Sequence, residues 1–355
     1  MLSVDIPEPV ATASDPRFQN LTNYLQSKVE GLEGVLQFSR FPGGFSNQTF
    51  LVSSSGRELV LKAAPPGAKA RGAHDVGREF EIVSKLYSVY PYLPHAVLRC
   101  DDLSVFGERF CVMERLQGIV VRAYPDDGSV SADQPARHFT RLIDALAELH
   151  TVDYAAAGLV GLGKPQGYRE RQLKGWQDRL EAARTDDMAD FTAVVAWLSG
   201  HAPSGPQSAA IVHNDFKLDN LMWDARDISK LIGVLDWEMA TLGDPLMDLA
   251  CTLSFWIESG DPAPFRALRG MPSAMPGVMS RHEALSRYSL RIGREVADFK
   301  FYLCFALLRR AAIEQQKYVR YRTGESTDTR FAELNHAVTV LRDMCLEVIE
   351  DKLRV

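Results

Sequence analysis

Residues 211–224, IVHNDFKLDNLMWD, carry polar side chains at spacings suited to phosphoryl transfer. His213, Asp215 and Asn220 fit the pattern H-x-D-x-x-x-x-N. This chemistry requires an acceptor hydroxyl held in line and neutralised phosphate charge. Asp215 could take the hydroxyl proton, Asn220 could bind magnesium, and Lys217 could offset charge on the phosphate. The alternative to this motif is a polar loop that matches the pattern by chance. We interpret His213 as a residue that shapes the loop.

The next segment, IGVLDWEMATLGDPLMD over residues 232–248, adds a second oxygen ligand. An apolar strand at 232–235 ends in Asp236, where a carboxylate can hold a hard cation. Sixteen residues separate Asn220 from Asp236, enough for a hairpin-like return that brings them together. We therefore predict that these two side chains and the phosphates of ATP share a magnesium ion. Glu238 is either a further metal contact or a solvated side chain.

Two more aspartates follow in this segment. Asp244 precedes Pro245 and is predicted to be a turn residue, and Asp248 is predicted to support the start of a helix. Both are interpreted as structural.

A glycine-rich turn lies between two predicted strands near the N-terminus. The backbone N–H groups of Gly43, Gly44, Ser46 and Asn47 could cover the ATP phosphates, because glycine lets the backbone approach closely. The turn is neither G-x-G-x-x-G nor a Walker loop, and an ordinary hairpin turn is the alternative.

Lys62 lies inside the apolar strand ELVLKAA, where a lysine is costly unless it is paired. The segment VGREFEIVSKLY offers a partner. At helical spacing, Glu79 shares a stripe with Val83 and Leu86, whereas Glu81 points the opposite way. We predict a Lys62–Glu79 ion pair on the nucleotide phosphates.

A linker segment over residues 110–116, FCVMERL, comes next along the chain. The main chain at Met113 and Glu114 is predicted to meet adenine. This assignment follows from the order of the motifs rather than from the side chains.

These motifs require a β-rich start and a helical remainder. Strands broken by Gly and Ser precede residue 100, and apolar residues recur at helical spacing from about Gln134. We predict an α+β, protein-kinase-like two-lobed fold. Its N-terminal nucleotide-binding lobe would span 1–115, with a hinge at about 113–118, and its C-terminal catalytic and substrate-binding lobe would span 116–355.

Composition excludes several other classes. The chain has 355 residues, 46% of them hydrophobic, which supports two buried cores, and its net charge of -6 disfavours nucleic-acid binding. Five scattered cysteines indicate neither a disulfide framework nor a zinc site. We find no signal peptide and no apolar run long enough to span a membrane, and we expect a cytoplasmic protein.

The sequence resembles the aminoglycoside phosphotransferase and choline kinase superfamily through HNDFKLDN and LDWEMATLGDPLMDLA. It is most similar to the branch that also occurs fused to acyl-CoA dehydrogenase domains, through GGFSNQTF, REFEIVSKL, YRERQLKGW and LLRRAAIEQQKY. The resemblance covers about residues 20 to 345. It implies a small-molecule kinase that uses ATP and Mg²⁺, with a hydroxyl as acceptor.

By position, the resemblance implies that Asp215 is the catalytic base and that Asn220 and Asp236 bind magnesium. It also implies that Lys62 and Glu79 act on the nucleotide phosphates. One position departs from the family, because many members have glycine where this chain has Asn214. Since protein kinases accept arginine there, we do not interpret the change as inactivating.

The acceptor is less defined than the reaction. Residues 252–355 hold 16 Lys and Arg against 13 Asp and Glu, whereas a pocket for polycationic antibiotics should be acidic. A cluster of cations in this region would suit an anionic acceptor such as an acyl-CoA or a phosphate ester, and a solvated basic helix face is the alternative. The resemblance to proteins fused with acyl-CoA dehydrogenase domains points the same way, and our hypothesis is a kinase for a hydroxyacyl-CoA or a related hydroxy acid. The cluster consists of Arg309, Arg310, Lys317, Arg320 and Arg322.

Residues in a predicted substrate-side insertion complete the set of candidates. Tyr168, Arg169, Arg171 and Trp176 either line the acceptor site or pack the insertion onto its lobe.

An aminoglycoside or choline-like amino-alcohol kinase is the alternative for the substrate class. A nucleotide-binding pseudokinase is the alternative of another kind, and a protein kinase is disfavoured because no A-P-E motif follows Asp236. The sequence does not define the oligomeric state.

Overall fold

The structure is a computed structural model that describes residues 6–12, 15–41, 47–65, 75–125, 130–131, 133–204, 208–296 and 298–353. The chain forms two compact units. The first contains residues 1–122, 155–159 and 219–240, and the second contains residues 123–154, 160–218 and 241–355.

The first unit is built on a six-stranded antiparallel sheet in the order β1-β2-β3-β4-β6-β5. Its strands are β1 (Glu8–Pro9), β2 (Gln37–Arg40), β3 (Gln48–Ser54), β4 (Arg57–Ala63), β5 (Ala96–Cys100) and β6 (Phe110–Glu114). Leu59, Leu61 and Ala63 of β4 point into the core, and Lys62 between them reaches the opposite face. The predicted strands are present, and β2–β3 and β3–β4 pair antiparallel.

Three helices pack with this sheet: α1 (Pro16–Lys28), α2 (Val76–Leu86) and α3 (Leu103–Phe106). Asp15 caps α1, whose Phe18, Leu21 and Leu25 join the apolar core. The carboxylate of Asp75 accepts the Arg78 N–H and caps α2. One stripe of α2 is buried, as the spacing of its apolar residues requires.

A second, three-stranded sheet of the first unit has the order β10-β9-β7. Its strands are β7 (Gly118–Val120), β9 (Leu221–Asp224) and β10 (Leu231–Val234). β9 and β10 form an antiparallel hairpin in which Leu221 pairs with Val234. The hairpin-like return predicted between Asn220 and Asp236 is therefore confirmed.

The second unit is mainly helical. Its helices are α4 (Gln134–Thr151), α5 (Tyr168–Ala182), α6 (Thr192–Gly200), α7 (Pro245–Leu253), α8 (Ala263–Arg266), α9 (Arg281–Ile292), α10 (Phe299–Arg322) and α11 (Leu334–Ile349). Two short strands, β8 (Ala210–Val212) and β11 (Thr241–Gly243), pair antiparallel. Helix α10 is buried along most of its length and packs against α5, α7 and α11. The helical pattern predicted from about Gln134 is confirmed, and α4 begins at this residue.

The β-rich first unit and the helical second unit agree with the predicted α+β class. The lobe boundary at 115/116 stays a prediction, whereas the compact first unit also takes in residues 219–240, including the β9–β10 hairpin. Within the described ranges, every helix is too short or too polar to cross a bilayer.

Candidate active site

A cavity of about 330 Å³ opens within the first unit. Its apolar lining comes from Phe41, Val60, Val83, Pro94, Met113, Leu116, Val120, Met222 and Val234. Its polar lining includes Asn47, Lys62, Glu79, Asp219, Asn220, Asp236 and Glu238. An apolar wall beside converging polar groups is typical of a nucleotide or small-molecule site.

The predicted Lys62–Glu79 ion pair is present in this cavity. The Lys62 Nζ lies 2.6 Å from Glu79 Oε1 and 3.8 Å from Asp236 Oδ1. Glu79 is 2% exposed, whereas Glu81 faces solvent and pairs with Lys85. Burial opposes the charged amine, but Glu79 and then Asp236 outweigh burial and raise the pKa of Lys62 above its ordinary value. Lys62 is therefore a protonated amine at the cavity wall.

Both predicted metal ligands lie at the base of the β9–β10 hairpin. The Leu235 N–H donates to the Asn220 carbonyl at 2.8 Å, which brings the segments that carry Asn220 and Asp236 together. Asp236 has a left-handed backbone with φ of 68° and directly precedes a 3₁₀ turn, Trp237–Met239. Trp237 is buried and anchors this turn.

The donor set of the cavity fits a magnesium ion. Carboxylate and amide oxygens are the ligands that Mg²⁺ prefers, and Asp236 and Asn220 supply one of each. Two buried oxygens of the same wall, Asn47 Oδ1 and Glu79 Oε2, have no hydrogen-bond partner among the described residues. Glu238 accepts a hydrogen bond from Asn47 Nδ2 at 3.3 Å, so it belongs to the cavity wall rather than to a solvated surface.

The predicted linker forms strand β6 and continues along the cavity. Met113 is buried, and both Met113 and Glu114 line the cavity. The Glu114 N–H donates to the His95 carbonyl, and its carboxylate pairs with Arg57. Contact of this segment with adenine stays a prediction. Gly43, Gly44 and Ser46 of the predicted phosphate loop lie outside the described residues.

Helix α2 is tied to the first unit by contacts that the sequence does not reveal. The Arg78 guanidinium donates to the Ala240 carbonyl at 2.7 Å, and Lys85 Nζ donates to the Gly158 carbonyl at 3.0 Å. The first bond joins residues that are 162 positions apart in the sequence, and the second joins residues that are 73 positions apart. They hold the helix that presents Glu79 to Lys62.

In the second unit, Asp215 and Lys217 lie close together on the loop after β8. The Lys217 Nζ is 3.2 Å from Asp215 Oδ2, and each side chain is about one quarter exposed. Lys217 Nζ also lies over the Phe255 ring, 5.5 Å from its centroid. Both groups are thus accessible and adjacent, as a base and a charge-compensating amine require.

The backbone of this loop is held by buried side chains, above all by Asp248 of α7. Its carboxylate accepts the N–H groups of His213 and Asn214 at 2.6 and 2.7 Å. His150 Nε2 lies 3.1 Å from the same carboxylate. Burial would raise the pKa of Asp248, but the hydrogen bond from His150 and the charges of His150 and His213 keep it below its ordinary value. Asp248 thus has a structural role that reaches beyond its own helix.

His213 and Asp244 also have structural roles. His213 is fully buried, and its Nδ1 lies 3.3 Å from the Asp215 backbone nitrogen. Asp244 caps α7 by accepting the Leu246 N–H at 3.0 Å, as its position before Pro245 predicts. Loop geometry around Asp215 therefore depends on contacts distant in sequence.

The candidate substrate residues of the insertion are buried. Tyr168, Arg169 and Trp176 are each less than one tenth exposed, which favours packing of the insertion over contact with an acceptor. Arg169 pairs with Asp244 at 2.8 Å. Arg171, by contrast, is exposed on the same helix and donates to nearby carbonyls.

The basic residues of α10 do not form one exposed patch. Arg309 and Arg310 are buried and donate to main-chain carbonyls, Arg309 to Asn214 at 2.8 Å and Arg310 to Ser254 at 2.7 Å. Lys317 pairs with Glu314. Arg322 pairs with Asp186 and Asp187. These four cations therefore do not share one exposed face of α10, and a role of Arg309 at an acceptor stays a prediction.

Comparison with known proteins defines the class. Solved structures with a similar fold are kinase-like. A protein from Ralstonia eutropha named as a candidate aminoglycoside phosphotransferase is 28% identical, with a TM-score of 0.81 over 94% of this chain and 98% of that one. Choline kinase from Cryptosporidium parvum, 12% identical, shares the fold alone, with a TM-score of 0.58 over 94% of this chain and 97% of that one.

The family follows from the sequence match. The family described as "Phosphotransferase enzyme family" matches residues 37–282, and the chain belongs to it. Acyl-CoA dehydrogenase family member 11 of Homo sapiens is 31% identical over 87% of this chain. Member 10 of Mus musculus is 32% identical over 85% of this chain. The chain spans 40% and 29% of the length of these two relatives.

These findings confirm the predicted protein-kinase-like fold and the predicted resemblance. The chain is a small-molecule kinase of the phosphotransferase class.

Proposed function

We propose that this kinase transfers the γ-phosphoryl group of ATP to a hydroxyl group of an anionic small molecule, such as a hydroxyacyl-CoA or a hydroxy acid. The proposal that the protein binds ATP rests on the Lys62–Glu79 ion pair, which lies beside Asp236 in one cavity. A protonated amine next to oxygen ligands for a hard cation suits the polyphosphate of a nucleotide. The apolar wall around Met113 and Met222 suits its base.

In the proposed reaction, Asp215 accepts the proton of the acceptor hydroxyl as that oxygen forms a bond to the γ-phosphorus. The bond between this phosphorus and the bridging oxygen breaks, and ADP leaves. Lys217 offsets charge on the transferred group, and Lys62 holds the remaining phosphates. Magnesium, held by Asn220 and Asp236, would neutralise phosphate charge.

Two observations support an anionic acceptor. Lys217 is an accessible cation 3.2 Å from the proposed base. In addition, the curated relatives are named for acyl-CoA dehydrogenase, and they extend well beyond the part that this chain matches. The basic residues of α10 do not contribute to this argument, because Arg309 and Arg310 are buried.

An acceptor panel tests the substrate class. ADP production from ATP and Mg²⁺ should be measured with hydroxyacyl-CoAs, short hydroxy acids, homoserine, choline, sugars and aminoglycosides. We expect turnover with a hydroxyacyl-CoA or hydroxy acid and little with choline or aminoglycosides. Preferential turnover of a cationic acceptor would contradict the anionic class while leaving the kinase assignment intact. Nucleotide binding with no turnover of any acceptor would favour a binding module.

A further inference from the structure

Asn214, between His213 and Asp215, has a left-handed backbone with φ of 67°. Glycine adopts this conformation without cost, and asparagine tolerates it better than most other L-residues. Because Asn214 directly precedes the proposed base, its backbone conformation sets the direction in which the Asp215 side chain leaves the loop.

Side chains from three helices contact Asn214. Its N–H donates to Asp248 Oδ1 of α7 at 2.7 Å. Its carbonyl accepts from Arg309 Nη2 of α10 at 2.8 Å. Its side-chain Oδ1 accepts from the Tyr168 hydroxyl of α5 at 3.2 Å. Together the three partners hold the N–H group, the carbonyl group and the side chain of Asn214.

The two partners with long side chains are themselves fixed. The Tyr168 ring packs over Gly243, where an added Cβ would lie 2.6 Å from its Cζ. Burial raises the pKa of Tyr168, so its hydroxyl stays protonated and can donate. The Arg309 guanidinium lies over Trp176, 5.3 Å from the ring centroid, and donates to Cys251 Sγ at 2.9 Å. Neither group can move far without disturbing its packing.

We propose that Tyr168 and Arg309 are positioning residues that hold Asn214 in its left-handed conformation and thereby orient Asp215. Both act through Asn214 rather than through the acceptor. Tyr168 bonds to the Asn214 side chain, so its role exists only while asparagine occupies this position. The inference rests on the proposed function for its effect on turnover, whereas its effect on the loop is independent of any activity.

A double-mutant cycle tests this coupling. Amide hydrogen exchange of peptides covering residues 213–218 should be measured for the wild type, Tyr168→Phe, Asn214→Gly and the double variant, all without ligand. Loss of one hydrogen bond should speed exchange in Tyr168→Phe about fivefold. The same tyrosine substitution in the Asn214→Gly background should add nothing. The proposal would be overturned if Tyr168→Phe sped amide exchange equally in the wild-type and Asn214→Gly backgrounds, or in neither.

Tyr318→Phe is the matched control. Its hydroxyl donates to Asp187 at 2.5 Å in the same unit and does not touch the loop, so exchange over residues 213–218 should stay at the wild-type rate. Exchange that rises equally throughout α4 and α10 in Tyr168→Phe would also overturn the proposal, because the effect would then be general destabilisation.

Turnover gives a second readout. We expect Tyr168→Phe to lower kcat about fivefold and to leave KM for ATP unchanged, since the nucleotide cavity lies within the first unit. A rise in KM for ATP with unchanged kcat would contradict a positioning role. If the wild type shows no turnover, the proposed function fails, and the exchange measurement still decides the inference.

Discussion

At the scale of single residues, the cavity holds one partly buried cation, Lys62, whose principal partner is Glu79. The Lys62 side chain is 18% exposed and that of Glu79 is 3% exposed, so water screens this pair little. Such a pair adds little stability compared with apolar residues of the same volume, yet loss of one partner leaves an uncompensated buried charge. The pair is therefore best explained by a requirement for a fixed positive charge in the cavity.

Glu79→Gln should expose this requirement. We expect a loss of about 3 kcal/mol in the free energy of unfolding, at the lower end for a broken buried pair because Asp236 remains 3.8 Å from Lys62 Nζ. We also expect a rise in KM for ATP of about tenfold or more, since the amine loses the partner that orients it. Denaturant unfolding and steady-state kinetics measure the two effects.

The same helix offers the control for this prediction. Glu81→Gln removes an exposed partner of Lys85 and should change the free energy of unfolding by about 0.5 kcal/mol or less. If the Glu79 and Glu81 variants behaved alike, the inward-facing role of Glu79 would be refuted.

At the scale of helices and strands, the sequence predicts those features that depend on the local spacing of apolar residues. Strand alternation places Lys62 opposite the core face of β4, and helical spacing places Glu79 on the buried stripe of α2. The β9–β10 hairpin follows from the short distance in sequence between Asn220 and Asp236. These features need only neighbouring residues to be recognised.

Contacts between distant elements could not be predicted in this way. Arg309 looks like a surface cation in the sequence, but it is buried and bonds to Asn214, 95 residues away. Asp248 reaches the same loop across 34 residues. Periodicity defines the buried face of a helix or strand but not which element covers that face. The contacts that hold the Asp215 loop could therefore be identified only from the structure.

Close packing of β7 against β9 leads to a prediction for this small sheet. A Cβ on Gly118 would lie 2.5 Å from the Trp223 carbonyl oxygen and 2.6 Å from Met222 Cγ. Gly118→Ala should therefore push β7 away from β9, destabilise the protein by about 1–3 kcal/mol and raise KM for ATP, because Gly118 and Met222 line the cavity. Thermal unfolding and kinetics measure these changes.

Gly161→Ala is the matched substitution, because a Cβ on Gly161 would meet no described atom within 4 Å. It should leave the melting temperature and KM for ATP nearly unchanged. Equal effects of the two substitutions would show that the contact between β7 and β9 is not the cause.

At the scale of the whole molecule, the residues of the proposed reaction belong to two compact units. The first holds the Lys62–Glu79 pair, Asn220 and Asp236, and the second holds Asp215 and Lys217. The segment from Asp215 to Asn220 is continuous in sequence and passes from one unit to the other between Leu218 and Asp219. The proposed reaction therefore draws on residues of both units.

The most direct test of the proposed reaction is transfer of the γ-phosphate of ATP to an acceptor hydroxyl, with and without magnesium, by the wild type and Asp215→Asn. Asp224→Asn is the control, since Asp224 lies on the adjacent strand β9 and accepts the Arg226 N–H at 2.7 Å in a turn. We predict a phosphoester product that requires magnesium, is reduced by about 100-fold or more in Asp215→Asn, and is unaffected in Asp224→Asn. Equal product formation by the wild type and Asp215→Asn, or transfer that persists without magnesium, would contradict the proposed reaction.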